Sequence, residues 1–116
     1  MTNEIDGRHH TRYEIVRPTL IIPRAAEAIQ GITQNISRGG MLVAVAIELE
    51  LDRTYRIELS DVPEALSLYG EALRLHLPHR NPDGSQEGGF KVGFEFLGLD
   101  DSTAARLDRL LQEATI

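Results

Sequence analysis

Apolar residues recur at every second position in two stretches of the chain. Tyr55, Ile57 and Leu59 alternate with Arg56 and Glu58, and Phe90, Val92, Phe94 and Phe96 alternate with Lys91, Gly93 and Glu95. A period of two separates the side chains onto two faces, so both stretches predict half-buried β-strands. Met41 to Ile47 is apolar throughout, the pattern of a strand covered on both faces. Tyr13 to Ile22 is strand-like, with Pro18 and Pro23 restricting it to an edge or a bulge, because proline donates no ladder hydrogen bond. Glu27 to Ile36 is a further candidate with broken alternation, since Ile29 and Ile32 have opposite parity. Leu66 and Leu68 share one parity while Leu73, Leu75 and Leu77 share the other, so a bulge or sharp bend is predicted at Gly70 between them.

The intervening segments fit short connections. NISRGG reads as a turn, and PHRNPDGSQEGG as a long hairpin loop before the last strand. Asp100, Asp101 and Ser102 offer an N-cap, and Leu107, Leu110, Leu111 and Ala114 mark one apolar helical face. The order predicts an all-β fold with a terminal helix: a small antiparallel barrel, one end covered by the helix. Residues 1–12 are polar and read as a flexible N-terminal arm, leaving 13–116 as the barrel domain with its helix.

At 116 residues the chain is sized for one domain, and without cysteine it has neither disulfides nor thiolate metal sites. The N-terminus lacks the apolar stretch of a signal peptide, and Met41 to Ile47 is too short to span a bilayer, so a cytoplasmic protein without membrane insertion is expected. The net charge of −6 argues against a nucleic-acid polymer as partner. Residues 1–38 nevertheless hold five arginines against four acids, while residues 39–116 hold seven bases against fourteen acids. Positive charge is concentrated at the start, where it can attract a small anion while the remainder repels a long one.

That same region holds two candidate motifs: RHHTR, with Arg8 and Arg12, and NISRGG, with Asn35, Ser37 and Gly40. In this order, at the start of a small β-rich chain, they resemble the PilZ domain, whose motif is RxxxR followed by D/NxSxxG. The stretch GFEFLGL, Gly93 to Leu99, is similar to that family's last strand, and the resemblance spans roughly residues 8 to 112. It implies a six-stranded antiparallel β-barrel with a C-terminal α-helix, and a receptor for the bacterial messenger cyclic diguanylate (cyclic di-GMP). One departure is LDRTY before the fourth strand, where many family members carry a turn glycine and this chain has Arg53.

The implied ligand suits these residues chemically. A guanidinium fork meets a phosphate, or the O6/N7 edge of guanine, with paired hydrogen bonds, and it also stacks on a base. Asn35 offers an amide carbonyl to guanine N–H groups, the Ser37 hydroxyl donates or accepts, and Gly40 permits close backbone approach. Arg38, inside the second motif, is either a solvated surface charge or a further phosphate contact, and as the latter it completes the expected ligand-binding set of Arg8, Arg12, Asn35, Ser37, Gly40 and Arg38. Nothing indicates catalysis: there is no GxxxxGK[ST] and no GxSxG, and Ser37 has no evident His and carboxylate partners. No cofactor or metal is expected, because His9 and His10 are distant in sequence from His76 and His79. A receptor that relays through an unidentified effector protein, as a monomer or homodimer, is the expected role. The rival is a similar adaptor, in pilus assembly or motility, that binds no nucleotide.

Overall fold

The computed structural model describes residues 10–87 and 89–114. Among the described residues eight strands and one helix follow one another: β1 (Pro18–Ile22), β2 (Ile29–Ile36), β3 (Gly40–Val45), β4 (Thr54–Leu59), β5 (Leu66–His76), β6 (His79–Arg80), β7 (Gln86–Glu87), β8 (Phe90–Leu97) and α1 (Asp101–Ala114). Six of the strands close an antiparallel barrel in the order β1-β2-β3-β8-β5-β4, with β1 pairing β4. This is the antiparallel barrel with a terminal helix that the strand pattern predicts, with the six strands that the family resemblance implies. The long hairpin loop contains order of its own: β6 and β7 pair as a small separate ribbon.

The barrel is filled by the inward parity of each strand. Ile21, Ile36, Met41, Val43, Ile57, Leu59, Val92 and Phe94 form one apolar cluster, with Tyr55 packed edge-on against Phe94. Helix α1 adds Leu107, Leu110 and Leu111 to the same cluster. Each buried leucine contributes roughly 2 kcal/mol by removal from water, so packing rather than charge fixes the helix. The Asp100 carboxylate accepts the Thr103 N–H at 2.7 Å and caps α1, which holds this acid below its ordinary pKa. On the outer side Arg106 donates to the Ala65 carbonyl, and Arg109 pairs with Glu64, tying the helix to the loop before β5.

Three local expectations change in the structure. Pro18 does not mark a sheet edge: the barrel is closed, and Pro18 opens β1 before the β4 pairing begins at Leu20. Pro18 pairs with Ile32 of β2, and on the β4 side the ladder that would need its N–H has not yet begun. The parity switch in β5 falls between Ala72 and Arg74, not at Gly70. Gly70 keeps the inward parity, and its hydrogen stands where a Cβ would lie 2.9 Å from Ile57 Cδ1 and 3.3 Å from Phe94 Cβ. The third concerns the turn before β4. Asp52 supplies the left-handed residue there, with φ of 60°, in place of a glycine, and its N–H donates to the Ala72 carbonyl at 2.7 Å.

Among the described residues no helix is long and apolar enough to cross a membrane.

Candidate functional site

The corner begins with an irregularity in β2. Thr33 pairs with Val43 but Asn35 pairs with Leu42, so Gln34 is the extra residue of a β-bulge. Across the bulge the inward parity changes, so Thr33 and Ile36 both face the interior; the Ile29–Ile32 mismatch precedes it and arises because Ile32 points outward, 48% exposed. It also brings Asn35 to a half-buried position at the barrel surface.

Beside it runs the chain from Tyr13 to Arg17, held by backbone and by one buried side chain. Tyr13 and Ile36 exchange hydrogen bonds of 2.9 and 3.0 Å as an isolated bridge. The fully buried Thr33 donates its hydroxyl to the Ile15 carbonyl and accepts the Arg17 N–H at 2.9 Å. Arg12 immediately precedes the bridge and Asn35 immediately precedes its other member. The Arg12 guanidinium therefore reaches Asn35, donating from Nη1 to Oδ1 at 2.7 Å across 23 residues of sequence. One residue from each motif meets at a single point.

The turn from β2 to β3 is built by Ser37. Its N–H donates to the Gly40 carbonyl at 2.8 Å, and its Oγ accepts the Gly39 and Gly40 N–H groups at 3.1 and 3.2 Å. Ser37 is 4% exposed, so its hydroxyl is engaged by the turn rather than presented to solvent. Gly40 is likewise a packing position: a Cβ there would stand 2.0 Å from the Phe94 carbonyl oxygen, which would break the β3–β8 approach. Gly39 is covered from outside by His10, whose Cδ2 lies 2.8 Å from where a Cβ would stand. Arg38, between Ser37 and Gly39, extends its guanidinium to α1, with Nε 2.8 Å from Asp108 Oδ1.

A shallow cavity of about 380 Å³ lies against this turn, lined by His10, Thr11, Tyr13, Arg38, Asp108, Leu111 and Gln112. A larger apolar groove of about 880 Å³ runs over the outer faces of β1, β2 and β3, including Leu20, Ile32 and Ala44, and contains none of the motif residues. The polar corner, with its converging arginines and amide, has the chemistry to bind a small anion carrying hydrogen-bonding edges; the groove does not. Of the expected set the structure brings Arg12, Asn35, Ser37, Arg38 and Gly40 to this corner, whereas Arg8 lies outside the described residues. Sequence reasoning missed Thr33, Tyr13 and Asp108. A threonine at an inward strand position was a readable signal for the first; the others depend on tertiary pairing. Among the described residues no cluster of three or more His, Asp or Glu side chains is arranged to hold a metal ion.

A family model described as PilZ domain matches residues 6–113. Comparison with curated proteins gives no match. Among solved structures, the chain is similar to the PilZ domain of YcgR from Escherichia coli with c-di-GMP, at TM-score 0.77 and 13% identity, covering 93% of this chain and 91% of that one. It is similar to the Bacillus subtilis inhibitor of motility MotI/DgrA at TM-score 0.68 and 19% identity, covering 93% of this chain and 49% of that one. The K. pneumonia MrkH–c-di-GMP complex matches at TM-score 0.71 and 12% identity, covering 91% of this chain and 51% of that one. The chain thus spans nearly all of the YcgR domain but about half the length of the other two.

Proposed function

The chain belongs to the PilZ domain family, and from that membership we propose that it is a receptor for cyclic diguanylate, held between the N-terminal RxxxR segment and the barrel corner at Asn35. The observation that carries this reading is the Arg12–Asn35 hydrogen bond at 2.7 Å, which joins the two motif halves on one surface point. The c-di-GMP present in the YcgR and MrkH structures supports the choice of ligand.

Each residue has a distinct part. Arg12 turns from Asn35 to a ligand phosphate or guanine edge, since an anionic acceptor outcompetes a neutral amide for a guanidinium. The released Asn35 carbonyl then accepts guanine N–H groups. Arg38 supplies a further phosphate contact. Ser37 and Gly40 act through backbone: they hold the turn whose shape sets where Asn35 and Arg38 stand. Arg8 enters from the motif alone, as the second arginine of the pair. Binding reorganises the arm, residues 1–12, and so changes the surface offered to an effector protein. The role is recognition and relay, with no chemical step.

Calorimetric titration of the purified protein with cyclic diguanylate tests the proposal. A saturating isotherm with Kd below about 100 μM, roughly 5.5 kcal/mol, is expected. Absence of heat and of saturation at that concentration refutes it.

A further inference from the structure

Arg38 connects the proposed ligand corner to the C-terminal helix. Its backbone is fixed by the turn bonds of Ser37 on one side and by Gly39 and Gly40 on the other. Asp108 is equally fixed, because the buried Leu107, Leu110 and Leu111 set the rotation of α1 about its axis. The two side chains meet at 2.8 Å while remaining 58% and 40% exposed, so the pair is open to solvent and to a ligand. The contact uses Nε of the guanidinium. Bidentate capture of a phosphate along that edge needs Nε together with one Nη, so Asp108 occupies half of the fork a phosphate would take. Its carboxylate also places a negative charge beside a dianionic ligand.

We propose that Asp108 is a positioning residue that competes with the nucleotide phosphate for Arg38, so that ligand capture unlatches α1 from the β2–β3 turn. This rests on the cyclic diguanylate reading above. An exposed ion pair is weak, so the competition costs the ligand only about two- to fivefold in affinity, small enough for the messenger to win. Coupling is reciprocal: the factor by which Asp108 weakens the ligand is the factor by which bound ligand weakens the latch. The helix does not leave the barrel, because its leucines remain buried and Arg106 and Arg109 still grip Ala65 and Glu64 on the other side. What loosens is the last turn of α1 beyond the buried Leu111, beginning with Gln112, which lines the cavity. The helix end thereby becomes a second surface whose state reports ligand.

The test titrates the wild-type chain, Asp108→Asn, Arg38→Ala and the double variant with cyclic diguanylate by calorimetry, and follows amide exchange in α1. Asp108→Ser serves as a second removal of the charge, with circular dichroism confirming that each variant keeps the fold. Asp108→Asn and Asp108→Ser should bind about two- to fivefold more tightly than wild type, and the gain should vanish in the Arg38→Ala background. Ligand should speed exchange of the amides of residues 112–114 in wild type and leave them unchanged in Asp108→Asn. Equal or weaker binding by the Asp108 variants overturns the proposal. So does a gain that persists without Arg38, or slower exchange of the helix end with ligand. A wild-type chain that binds no nucleotide removes the receptor reading and this one with it. A wild-type chain that saturates while Asp108→Asn is unresponsive removes only this one.

Discussion

Replacing Ser37 by alanine separates a scaffold role from a ligand contact within the same motif. The hydroxyl accepts two backbone N–H groups, of the half-buried Gly39 and the buried Gly40, at 3.1 and 3.2 Å. Alanine removes the acceptor and leaves both donors behind. An orphaned buried N–H costs about 1–3 kcal/mol, and the Gly39 group, partly reachable by water, sits at the low end. Against this, the alanine methyl no longer requires a hydroxyl to be desolvated, which returns part of the loss. The net expectation is a destabilisation of about 2 kcal/mol, a substantial share of the roughly 5–15 kcal/mol typical of a domain. Urea unfolding should show the midpoint falling with the slope unchanged, since the same surface is exposed on unfolding. Affinity for cyclic diguanylate should fall too, because the turn carrying Arg38 loses its definition. A variant with stability within about 0.5 kcal/mol of wild type refutes the argument. If such a variant still lost affinity, Ser37 would be a direct ligand contact instead.

Arg12→Ala should weaken cyclic diguanylate binding by about 2 kcal/mol, roughly thirtyfold, through loss of a charge-assisted contact, and calorimetry that gives the wild-type curve would remove Arg12 from the site. Asp52→Gly should stabilise the fold by about 0.5 kcal/mol: glycine takes the 60° φ without a Cβ clash, though its freer unfolded chain offsets part of the gain, and a lower urea midpoint contradicts this. Glu64 is held below its ordinary carboxylate pKa, chiefly by the hydrogen bond from Arg109. Its contribution to stability is therefore complete above the unfolded value of 4.5 and lost as pH falls through the lower folded value. Glu64→Gln should flatten the decline of the urea midpoint between roughly pH 5 and 3, and a decline as steep as wild type counts against the pair.

Where the physics is local, the sequence is a sufficient guide. The clean alternation of Tyr55 to Leu59 and Phe90 to Phe96 becomes β4 and β8, and the leucine spacing after Asp100 becomes the buried face of α1. The two bulges are harder, because a parity change says that a residue is extra without saying which. In β5 the apolar leucines made Gly70 the natural break, yet Gly70 and Ala72 continue the inward set as small residues, since Ile57 and Phe94 leave little room beside Gly70. In β2 the fully buried positions before the bulge are Gly31 and Thr33, neither of which reads as core by hydropathy. The motif residues were visible as types in order. Their assembly was not, because the Tyr13–Ile36 bridge and the Arg38–Asp108 pair join segments far apart in sequence and depend on the closed barrel to bring them together.

The corner divides its labour by burial, and that division makes its two properties separable. Ser37, Gly40 and Thr33 are buried and spend their polar groups, or their lack of a side chain, on the backbone around the turn and on the segment that delivers Arg12. Changes there disturb the fold first and recognition only through it. Arg12 and Arg38 are exposed and Asn35 half-buried; Arg12 donates to Asn35 and Arg38 pairs with Asp108, contacts weak enough in water to be exchanged for a ligand. Changes there leave the barrel intact and act on affinity. A motif read as a set of ligand contacts would have Arg12, Asn35, Ser37 and Gly40 behave alike; the geometry instead requires that substitutions at the buried two shift the urea midpoint and those at the other two shift the isotherm.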